Sequence, residues 1–337
     1  MKKIKSIKSI SSVLLAEEAL QRGITVKHLN PYQDDEAFLE LDYKKHREFI
    51  IGQRISKTSL EAYWILENKD LTKEFLRRNN INVATGKVFK KDDFDEIVDY
   101  CEKIKFPVVI KPVDGAHGKD IYININNKKE LKTVLKEVLK KNNYILAEKM
   151  FFGTEYRLVV TKNKFLAATN RIPANVVGDG INTIKNLIKI KNGDPRRCSN
   201  FTEGKPLIKI KIDNILKDNL KKNSLRLNSI IPKGERIYLR NNSNLSTGGD
   251  SVDITDIIHP DFKKIAIKTI HAIPGLVYAG IDLMTDKDIS KKPTRNNYII
   301  IEMNLSPGIF MHHFPYKGRS RNVAKEIIDM LFPENKK

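Results

Sequence analysis

The stretch Ile299–His313, with the sequence IIIEMNLSPGIFMHH, carries the features from which the fold of this chain is inferred. It begins with consecutive isoleucines, which are typical of a buried strand. Glu302 and Asn304 follow at a spacing that points both side chains to the same side of a strand. Pro307 and Gly308 then turn the chain. A carboxylate and an amide oxygen on one face at a strand end are suitable ligands for Mg²⁺.

A second apolar run, Val277–Leu283, contains another carboxylate, Asp282. We expect this run to pair with Tyr298–Met303 as two core strands. Asp282, Glu302 and Asn304 would then hold a metal ion against the phosphates of a nucleotide. The alternative is a pair of core strands whose polar residues merely face solvent. The Glu-x-Asn pattern is too short to decide between these interpretations by itself.

The composition indicates a soluble globular protein in the cytoplasm. Its 337 residues are 40% hydrophobic and 30% charged. No apolar run approaches the roughly 18–20 residues that a membrane span needs. The basic N-terminus soon reaches Glu17 and Glu18, which is not the pattern of a signal peptide. Cys101 and Cys198 are far apart and lack metal-ligand spacing, so we expect free thiols in a reducing compartment.

The net charge of +20, from 61 basic and 41 acidic residues, could attract nucleic acid, an anionic surface or acidic small ligands. Much of the excess is lysine spread along Lys129–Lys141 and Lys205–Lys222, which is the pattern of a solvated surface. The sequence contains no zinc-ligand cluster, RNP-type aromatic motif or heptad array. We therefore expect no nucleic-acid partner and no membrane partner.

A strand, turn and strand in the first half are suited to phosphate binding. Phe106–Val113 is a predicted strand that carries Lys111. It leads through a loop with Gly115, His117 and Gly118 into a return strand. The glycines would let backbone N–H groups approach phosphates closely. The sequence has no Walker A loop and no GxGxxG motif, and an ordinary hairpin with an exposed lysine is the alternative.

Taken together, these motifs resemble the ATP-grasp ligases. The order of the family's functional positions is matched by Lys73, Lys111, the glycine loop, Glu148-Lys149, Glu155, Asp282 and Glu302-x-Asn304. The segments RIPANVVGDGINTI (171–184), NLSTGGDSVDITDIIHP (244–260) and EMNLSPGIFMHHFPYKGRSR (302–321) are similar to the ATP-grasp segments of cyanophycin synthetases and of bifunctional glutathione synthetases. The resemblance covers roughly residues 58–333.

The resemblance implies an α+β (α/β) ATP-grasp fold in which two α+β lobes clasp the nucleotide. Residues 58–335 are expected to form this domain, with a nucleotide-binding lobe at about 83–150. The C-terminal lobe, at about 151–335, would carry the metal and substrate sites and a lysine-rich insertion at about 192–235. Residues 1–57 are expected to form a small, reduced N-terminal domain.

The activity implied by the resemblance is ADP-forming carboxylate–amine ligation. ATP would activate a carboxylate as an acyl phosphate, from which an amine displaces phosphate to give an amide or peptide bond. Amino acids or short peptides are the expected substrates. A ligase that adds amino acids to a protein tail and a non-enzymatic module that binds ATP or nucleic acid remain as alternatives. Relatives often form dimers or tetramers, so a homo-oligomer also stays open.

The resemblance assigns ATP and Mg²⁺ as cofactors, with two ions expected and Mn²⁺ as a potential substitute. Contacts to the nucleotide are expected from phosphate-binding lysines, the glycine flap and an adenine and ribose hinge: Lys73, Lys111, Gly115, His117, Gly118, Glu148, Lys149, Phe151 and Glu155. Glu148 would face the adenine edge, and Glu155 would accept hydrogen bonds from ribose hydroxyls. Asp282, Glu302 and Asn304 are the implied metal ligands.

The remaining site residues implied by the resemblance handle the reacting groups. Arg157, Arg171 and Arg240 would stabilise the transferred phosphoryl group and the acyl phosphate, because a fork of donors suits those oxygens. The acceptor side is expected to use Ser246, Thr247, Gly248 and His312.

The sequence departs from the family pattern in two places and lacks a further half. Asp120 stands where many relatives have glycine, and Phe310 stands where the cyanophycin-type motif has arginine. The second departure puts an arginine-dependent substrate contact in doubt. Neither a Mur-ligase-like half nor a γ-glutamylcysteine ligase half precedes Lys337, so a one-step ligase is expected.

Overall fold

The computed structural model describes residues 6–32, 36–113, 121–200 and 205–336. The helices are α1 Ile10–Gln21, α2 Leu60–Glu67, α3 Lys69–Arg78, α4 Phe94–Ile104, α5 Lys128–Val138, α6 Ile184–Asn192, α7 Asn214–Lys222, α8 Pro260–His271, α9 Phe310–His313 and α10 Val323–Leu331. The strands are β1 Thr25–His28, β2 Phe38–Tyr43, β3 His46–Ile51, β4 Arg54–Ile55, β5 Gly86–Lys90, β6 Val108–Pro112, β7 Tyr122–Ile125, β8 Tyr144–Lys149, β9 Thr154–Thr161, β10 Phe165–Ile172, β11 Asn175–Val177, β12 Arg197–Cys198, β13 Leu207–Ile208, β14 Arg236–Tyr238, β15 Asp250–Asp253, β16 Tyr278–Thr285 and β17 Tyr298–Asn304.

The central sheet has the strand order β15-β10-β9-β16-β17. Strands β16 and β17 are antiparallel, which confirms the pairing predicted from their apolar runs. One level of this sheet carries a polar side chain on each strand in turn: Glu302, Asp282, Arg157, Thr169 and Asp253. Directly paired residues share one face of a sheet, so these five residues form a polar row across it.

Away from the polar row the sheet is apolar on both faces. Leu158 and Ile281 are buried on one face with Phe262 of α8. Val159 and Tyr278 are buried on the opposite face, the face of the polar row, in a second hydrophobic cluster. One face therefore changes from apolar to polar along its strands, and the polar end is the place for a site.

The N-terminal region shares a core with the C-terminal lobe. Its strands form an antiparallel sheet in the order β1-β2-β3-β4. Leu15 of α1 and Leu39 of β2 lie in the same hydrophobic cluster as Ile327 of α10 and Val159 of β9. The N-terminal region thus packs against the apolar part of the same sheet face that carries the polar row.

The nucleotide-binding lobe predicted at about 83–150 contains a sheet in the order β5-β8-β6-β7. Helices α4 and α5 cover it through a separate hydrophobic cluster that includes Ile97, Leu131 and Ile110. The predicted phosphate flap, with Gly115, His117 and Gly118, lies outside the described residues.

The insertion has a hydrophobic core of its own. Its buried apolar residues, from Ala174 to Leu239, contact one another in a cluster that includes Ile184, Leu216 and Ile231. This cluster begins earlier than the insertion predicted at about 192–235, because β11 and α6 belong to it.

None of the helices in the described part of the chain combines the length and the apolar character needed to span a bilayer.

Two consecutive helices, α2 and α3, are separated by a single residue. Asn68 ends α2, and its side-chain oxygen accepts the backbone N–H groups of Asp70 and Leu71 at the start of α3. Trp64 of α2 is 65% exposed.

The turn that follows β17 is held by the N-terminal region. The buried hydroxyl of Ser11 accepts the N–H groups of Ile309 and Phe310, at 3.0 and 3.3 Å. The N–H of Gln53 donates to the hydroxyl of Ser306 at 3.1 Å. The N-terminal region therefore fixes both ends of the turn between Asn304 and α9.

Replacing Ser11 should show how strongly this turn depends on the N-terminal region. Ser11→Ala leaves two backbone N–H groups without their acceptor, and we expect the free energy of unfolding to fall by about 1–3 kcal/mol. Urea denaturation measures the change. Ser224→Ala, at an exposed serine, should stay within about 0.5 kcal/mol. Equal effects of the two substitutions would contradict a special role for Ser11.

The half-buried side chain of His313 should make stability depend on pH. The backbone N–H of Ala324 donates to His313 Nε2 at 3.1 Å, and burial lowers the pKa of His313 to about 4. In the unfolded chain this imidazole binds a proton near the ordinary pKa of about 6.5, whereas in the folded chain it stays neutral until the pH approaches 4. The free energy of unfolding therefore falls as the pH decreases from about 6.5 to about 4, and His313 does not change it above that range.

Denaturation of His313→Gln at pH 7 and pH 4.5 tests this dependence. The variant has no imidazole to protonate, so we expect its free energy of unfolding to fall less between the two pH values than that of the parent. His271→Gln, at an exposed histidine, should follow the parent. An unchanged pH dependence in the His313 variant would contradict the assignment.

Candidate active site

Asp282 is the centre of a buried ion-pair network. It is 4% exposed, and Arg157 donates to both of its carboxylate oxygens, with Nη2 3.0 Å from Oδ2. Arg171 Nη2 lies 3.1 Å from the same Oδ2. Burial alone would raise the pKa of Asp282, but the guanidinium groups of Arg157 and Arg171 hold it below its ordinary value. Asp282 is therefore a carboxylate anion at neutral pH.

Glu155 extends this network toward the loop that follows β14. Arg171 forms an ion pair with Glu155, and the hydroxyl of Ser243 donates to the other oxygen of the same carboxylate. Arg171 thus bridges Glu155 and Asp282, two residues that the sequence assigned separately to ribose and to metal. Ser243 was not among the predicted site residues.

A second buried cluster joins the nucleotide-binding lobe to α3. Lys111 Nζ lies 2.6 Å from Glu148 Oε2, and Lys73 forms an ion pair with the other oxygen of Glu148. Burial lowers the pKa of Lys111 to about 8, against the opposing influence of Glu302. Burial and the charge of Lys111 also lower the pKa of Lys73. Two ammonium groups share one carboxylate, and such an imbalance favours an anionic ligand nearby.

The segment after Glu148 is tied to its neighbours by the backbone. The N–H of Lys149 donates to Thr85 O at 2.8 Å, and Lys149 Nζ donates to Phe106 O at 3.0 Å. Phe151 is half-buried. The predicted adenine contacts of Glu148, Lys149 and Phe151 remain predictions, since the Glu148 carboxylate is taken up by lysines.

Several buried polar atoms around the central network have no hydrogen-bond partner among the described residues. They are Arg171 Nε, Arg240 Nε, Asn304 Nδ2 and His312 Nε2. His312 is 1% exposed, its Nδ1 lies 2.9 Å from Thr169 Oγ1, and burial lowers its pKa to about 3, so its imidazole is neutral. Unpaired buried polar groups cost free energy, which a polar ligand would recover.

The donor set at the strand ends suits a hard cation. Asp282 lies opposite Glu302, and Asn304 lies opposite Gly280, the residue two before Asp282. These are two carboxylates and an amide oxygen, the ligand types that Mg²⁺ prefers. No group of three or more histidine, cysteine, aspartate or glutamate residues suited to a metal occurs in the described ranges. Because Arg157 and Arg171 both donate to Asp282, a cation bound there would share that carboxylate with two guanidinium groups.

The predicted acceptor loop, Asn244–Gly249, lies between the central sheet and the insertion. Thr247 Oγ1 donates to Asn244 O at 2.8 Å, so its hydroxyl supports the loop itself. Ser246 is exposed, and Gly248 has a left-handed backbone with φ of 97°. Arg240, at the end of the insertion, is 6% exposed and pairs with Asp213 at 2.6 Å.

Gly280 is a site residue that the sequence interpretation missed. A Cβ atom at this position would lie 2.6 Å from Pro307 Cβ and 3.3 Å from Arg157 Cδ. The absence of a side chain lets the Arg157 guanidinium and the turn after β17 approach the same point of β16. Its position two residues before Asp282 was the available signal, because these residues share a face.

Two family models match separate parts of the chain. Residues 67–170 match the phosphoribosylglycinamide synthetase, ATP-grasp (A) domain. Residues 236–331 match the RimK-like ATP-grasp domain.

Two curated relatives match almost the whole chain. The glutathione biosynthesis bifunctional protein GshAB of Clostridium perfringens is 37% identical over 329 residues, which are 96% of this chain and 41% of the relative. The cyanophycin synthetase of Crocosphaera subtropica is 37% identical over 326 residues, 96% of this chain and 36% of the relative. The chain thus spans about two fifths of the length of these relatives.

A solved structure supports the same fold. The crystal structure of a bifunctional glutathione synthetase from Pasteurella multocida superimposes with a TM-score of 0.75 and 33% identity. The match covers 98% of this chain and 44% of that chain.

A methyl group at Gly280 should disturb the packing around Arg157. We expect Gly280→Ala to lower the free energy of unfolding by about 1–3 kcal/mol, because Pro307 or Arg157 must move. Pro307→Gly removes the nearest atom, so the double variant should recover part of the loss, with a coupling of about 0.5–3 kcal/mol. Chemical denaturation of the four proteins measures this cycle, and strictly additive effects would contradict the contact.

Proposed function

Since this chain belongs to the ATP-grasp proteins and is homologous to parts of GshAB and cyanophycin synthetase, we propose that it is an ADP-forming carboxylate–amine ligase. A carboxylate oxygen would attack the γ-phosphorus of ATP, and ADP would leave. The nitrogen of an amine would then attack the acyl carbon, releasing phosphate and a proton and forming an amide or peptide bond. The observation that carries this proposal is the polar row, which brings two carboxylates and an arginine to one level of a buried sheet.

The nucleotide would bind between the two lobes. Lys73 and Lys111 would contact its phosphates. This role is supported by the fact that the two lysines have only one carboxylate, Glu148, between them, which leaves positive charge for an anion. The flap residues Gly115, His117 and Gly118 would cover the phosphates, and Lys149, Phe151 and Glu155 would contact adenine and ribose. Binding would require Glu148 to exchange at least one lysine contact for the adenine edge.

Mg²⁺ would bridge phosphate oxygens and neutralise their charge, with two ions expected and Mn²⁺ able to replace them. Asp282, Glu302 and Asn304 would hold the metal. Asn304 would use its amide oxygen, which leaves the unpaired Nδ2 for a phosphate or acyl oxygen.

Arg157, Arg171 and Arg240 would orient and stabilise the transferred phosphoryl group. The unpaired Nε atoms of Arg171 and Arg240 support this role, because a phosphate oxygen would satisfy such buried donors. Arg157 donates to both oxygens of Asp282 through Nε and Nη2, so its first task would be to keep that carboxylate ionised and in place.

The acceptor would enter beside the loop that contains Ser246, Thr247 and Gly248. His312 would contact the substrate through its unpaired Nε2, since Thr169 fixes the other ring nitrogen. We propose free amino acids or short peptides as substrates in the cytoplasm. The domain boundaries proposed are 1–57 for the N-terminal region and 58–335 for the ATP-grasp domain.

A product screen tests the activity and the acceptor class together. The purified chain would be incubated with Mg-ATP and a mixture of amino acids and dipeptides, and ADP and new amides would be followed by mass spectrometry. Equal amounts of ADP and one amide product support a ligase for small substrates. Amide formation only after addition of a protein acceptor would favour the protein-tail alternative, and bound ATP without ADP release would favour a binding module.

Loss of either charge type should stop the reaction without unfolding the protein. We expect Lys111→Met to lower ADP release by at least about 100-fold, because a buried phosphate contact is lost. Glu302→Gln should have a similar effect, since it weakens cation binding. Lys128→Met, at an exposed lysine, serves as the control and should retain the parental rate. Near-normal turnover in either site variant, with an unchanged circular dichroism spectrum, would contradict the site.

A further inference from the structure

Asp250, at the start of β15, is a buried carboxylate that receives groups from the insertion. It is 3% exposed, with Lys191 Nζ 2.5 Å from Oδ2 and Arg197 Nη2 2.5 Å from Oδ1. The side-chain amide of Asn175 donates to Oδ2 at 2.9 Å. Arg197 is itself 1% exposed, so both charges of this pair are removed from water. Such a pair is costly to break, because the remaining charge is left buried without a partner.

The same arginine holds the predicted acceptor loop from the other side. Arg197 Nη1 donates to Gly248 O at 3.3 Å and to Ile208 O at 2.5 Å. Gly248 also lies against Ile210, where an added Cβ would come within 2.8 Å of Ile210 Cγ1. The loop is therefore attached to the insertion at its end, through Gly248 and through Asp250 two residues later.

The contacts described here between the insertion and this part of the lobe are largely polar. Most of the buried apolar residues described in the insertion contact one another in its own core. The ring of Tyr316 lies 5.4 Å from Lys191 Nζ and 5.5 Å from the guanidinium carbon of Arg197. Tyr316 is tied to β15 in turn, because its N–H donates to the hydroxyl of Ser251 at 3.2 Å. Loss of the Asp250 carboxylate would remove the ion pairs that join β15 to Lys191 and Arg197.

We propose that Asp250 is a positioning residue, which uses Lys191 and Arg197 to fix the loop Asn244–Gly249 for the amine acceptor. The inference rests on the proposed ligase function, in which this loop lies on the acceptor side. Asp250 is not among the groups assigned to ATP or the metal. Its loss therefore raises the acceptor concentration needed for half-maximal rate more than it changes nucleotide binding.

The test uses Asp250→Asn in the full chain, which preserves shape and removes the charge. Hydrogen–deuterium exchange reports the loop directly, and we expect peptides covering 242–250 to exchange at least about tenfold faster. The apparent half-saturation for an equimolar mixture of amino acids, followed by ADP release, should rise at least about fivefold. Affinity for a non-hydrolysable ATP analogue with Mg²⁺ should stay within about twofold.

Two further variants keep the test decisive. Asp218→Asn makes the same charge change at an exposed position of α7 and should alter none of the three readouts. Lys191→Met leaves the Asp250–Arg197 pair in place and should loosen the loop less, which decides the matter if Asp250→Asn does not fold.

The outcomes separate this inference from the proposed function. Unchanged loop exchange, or equal losses of acceptor and nucleotide affinity, would overturn the positioning role. If the parent protein releases no ADP with the mixture, the small-substrate function fails, and exchange together with analogue binding still decides the role of Asp250. Faster exchange confined to the loop, with analogue affinity retained, supports it.

Discussion

The bidentate pairing of Asp282 with Arg157 is the constraint on which the site depends. Both side chains lie on neighbouring strands in the middle of a sheet, where water cannot solvate their charges. A buried charge persists only when it is paired and hydrogen-bonded, so the strands must keep one register. Gly280 leaves the space that the guanidinium occupies, and Arg171 saturates the second carboxylate oxygen. The stability of the sheet and the proposed chemistry thus depend on the same pair of residues, Asp282 and Arg157.

The site is organised by an excess of buried donors over acceptors. Lys73 and Lys111 share Glu148, while Arg171 divides its guanidinium between Glu155 and Asp282. Such an arrangement is compact without a ligand but leaves donors unsatisfied. A polyphosphate would supply negative charge for these donors, and a metal ion would enter together with it. Asp250 shows the same excess of cations, because its single carboxylate pairs with Lys191 and Arg197 and so attaches the insertion to β15.

Local sequence signals predicted the elements well where one principle dominated. The apolar runs around Asp282 and Glu302 predicted strands and their pairing, because isoleucine-rich segments pack best in a buried sheet. Apolar periodicity does not show where α2 ends and α3 begins, because that boundary is set by the Asn68 side chain, which accepts the first N–H groups of α3. The apolar residues of the N-terminal region share a core with α10, a contact between distant segments that no local pattern reveals.

By itself, the sequence determined which residues are candidates for the chemistry and on which strands they lie, because side-chain type and the alternation of a strand are local properties. Only the tertiary structure decided the partners: that Glu148 accepts two lysines, that Arg171 bridges Glu155 and Asp282, and that Asp250 receives the insertion. Pairing of charges depends on which strands become neighbours. That choice is made by hydrophobic burial across the whole chain, through contacts far apart in sequence, and no short motif contains it.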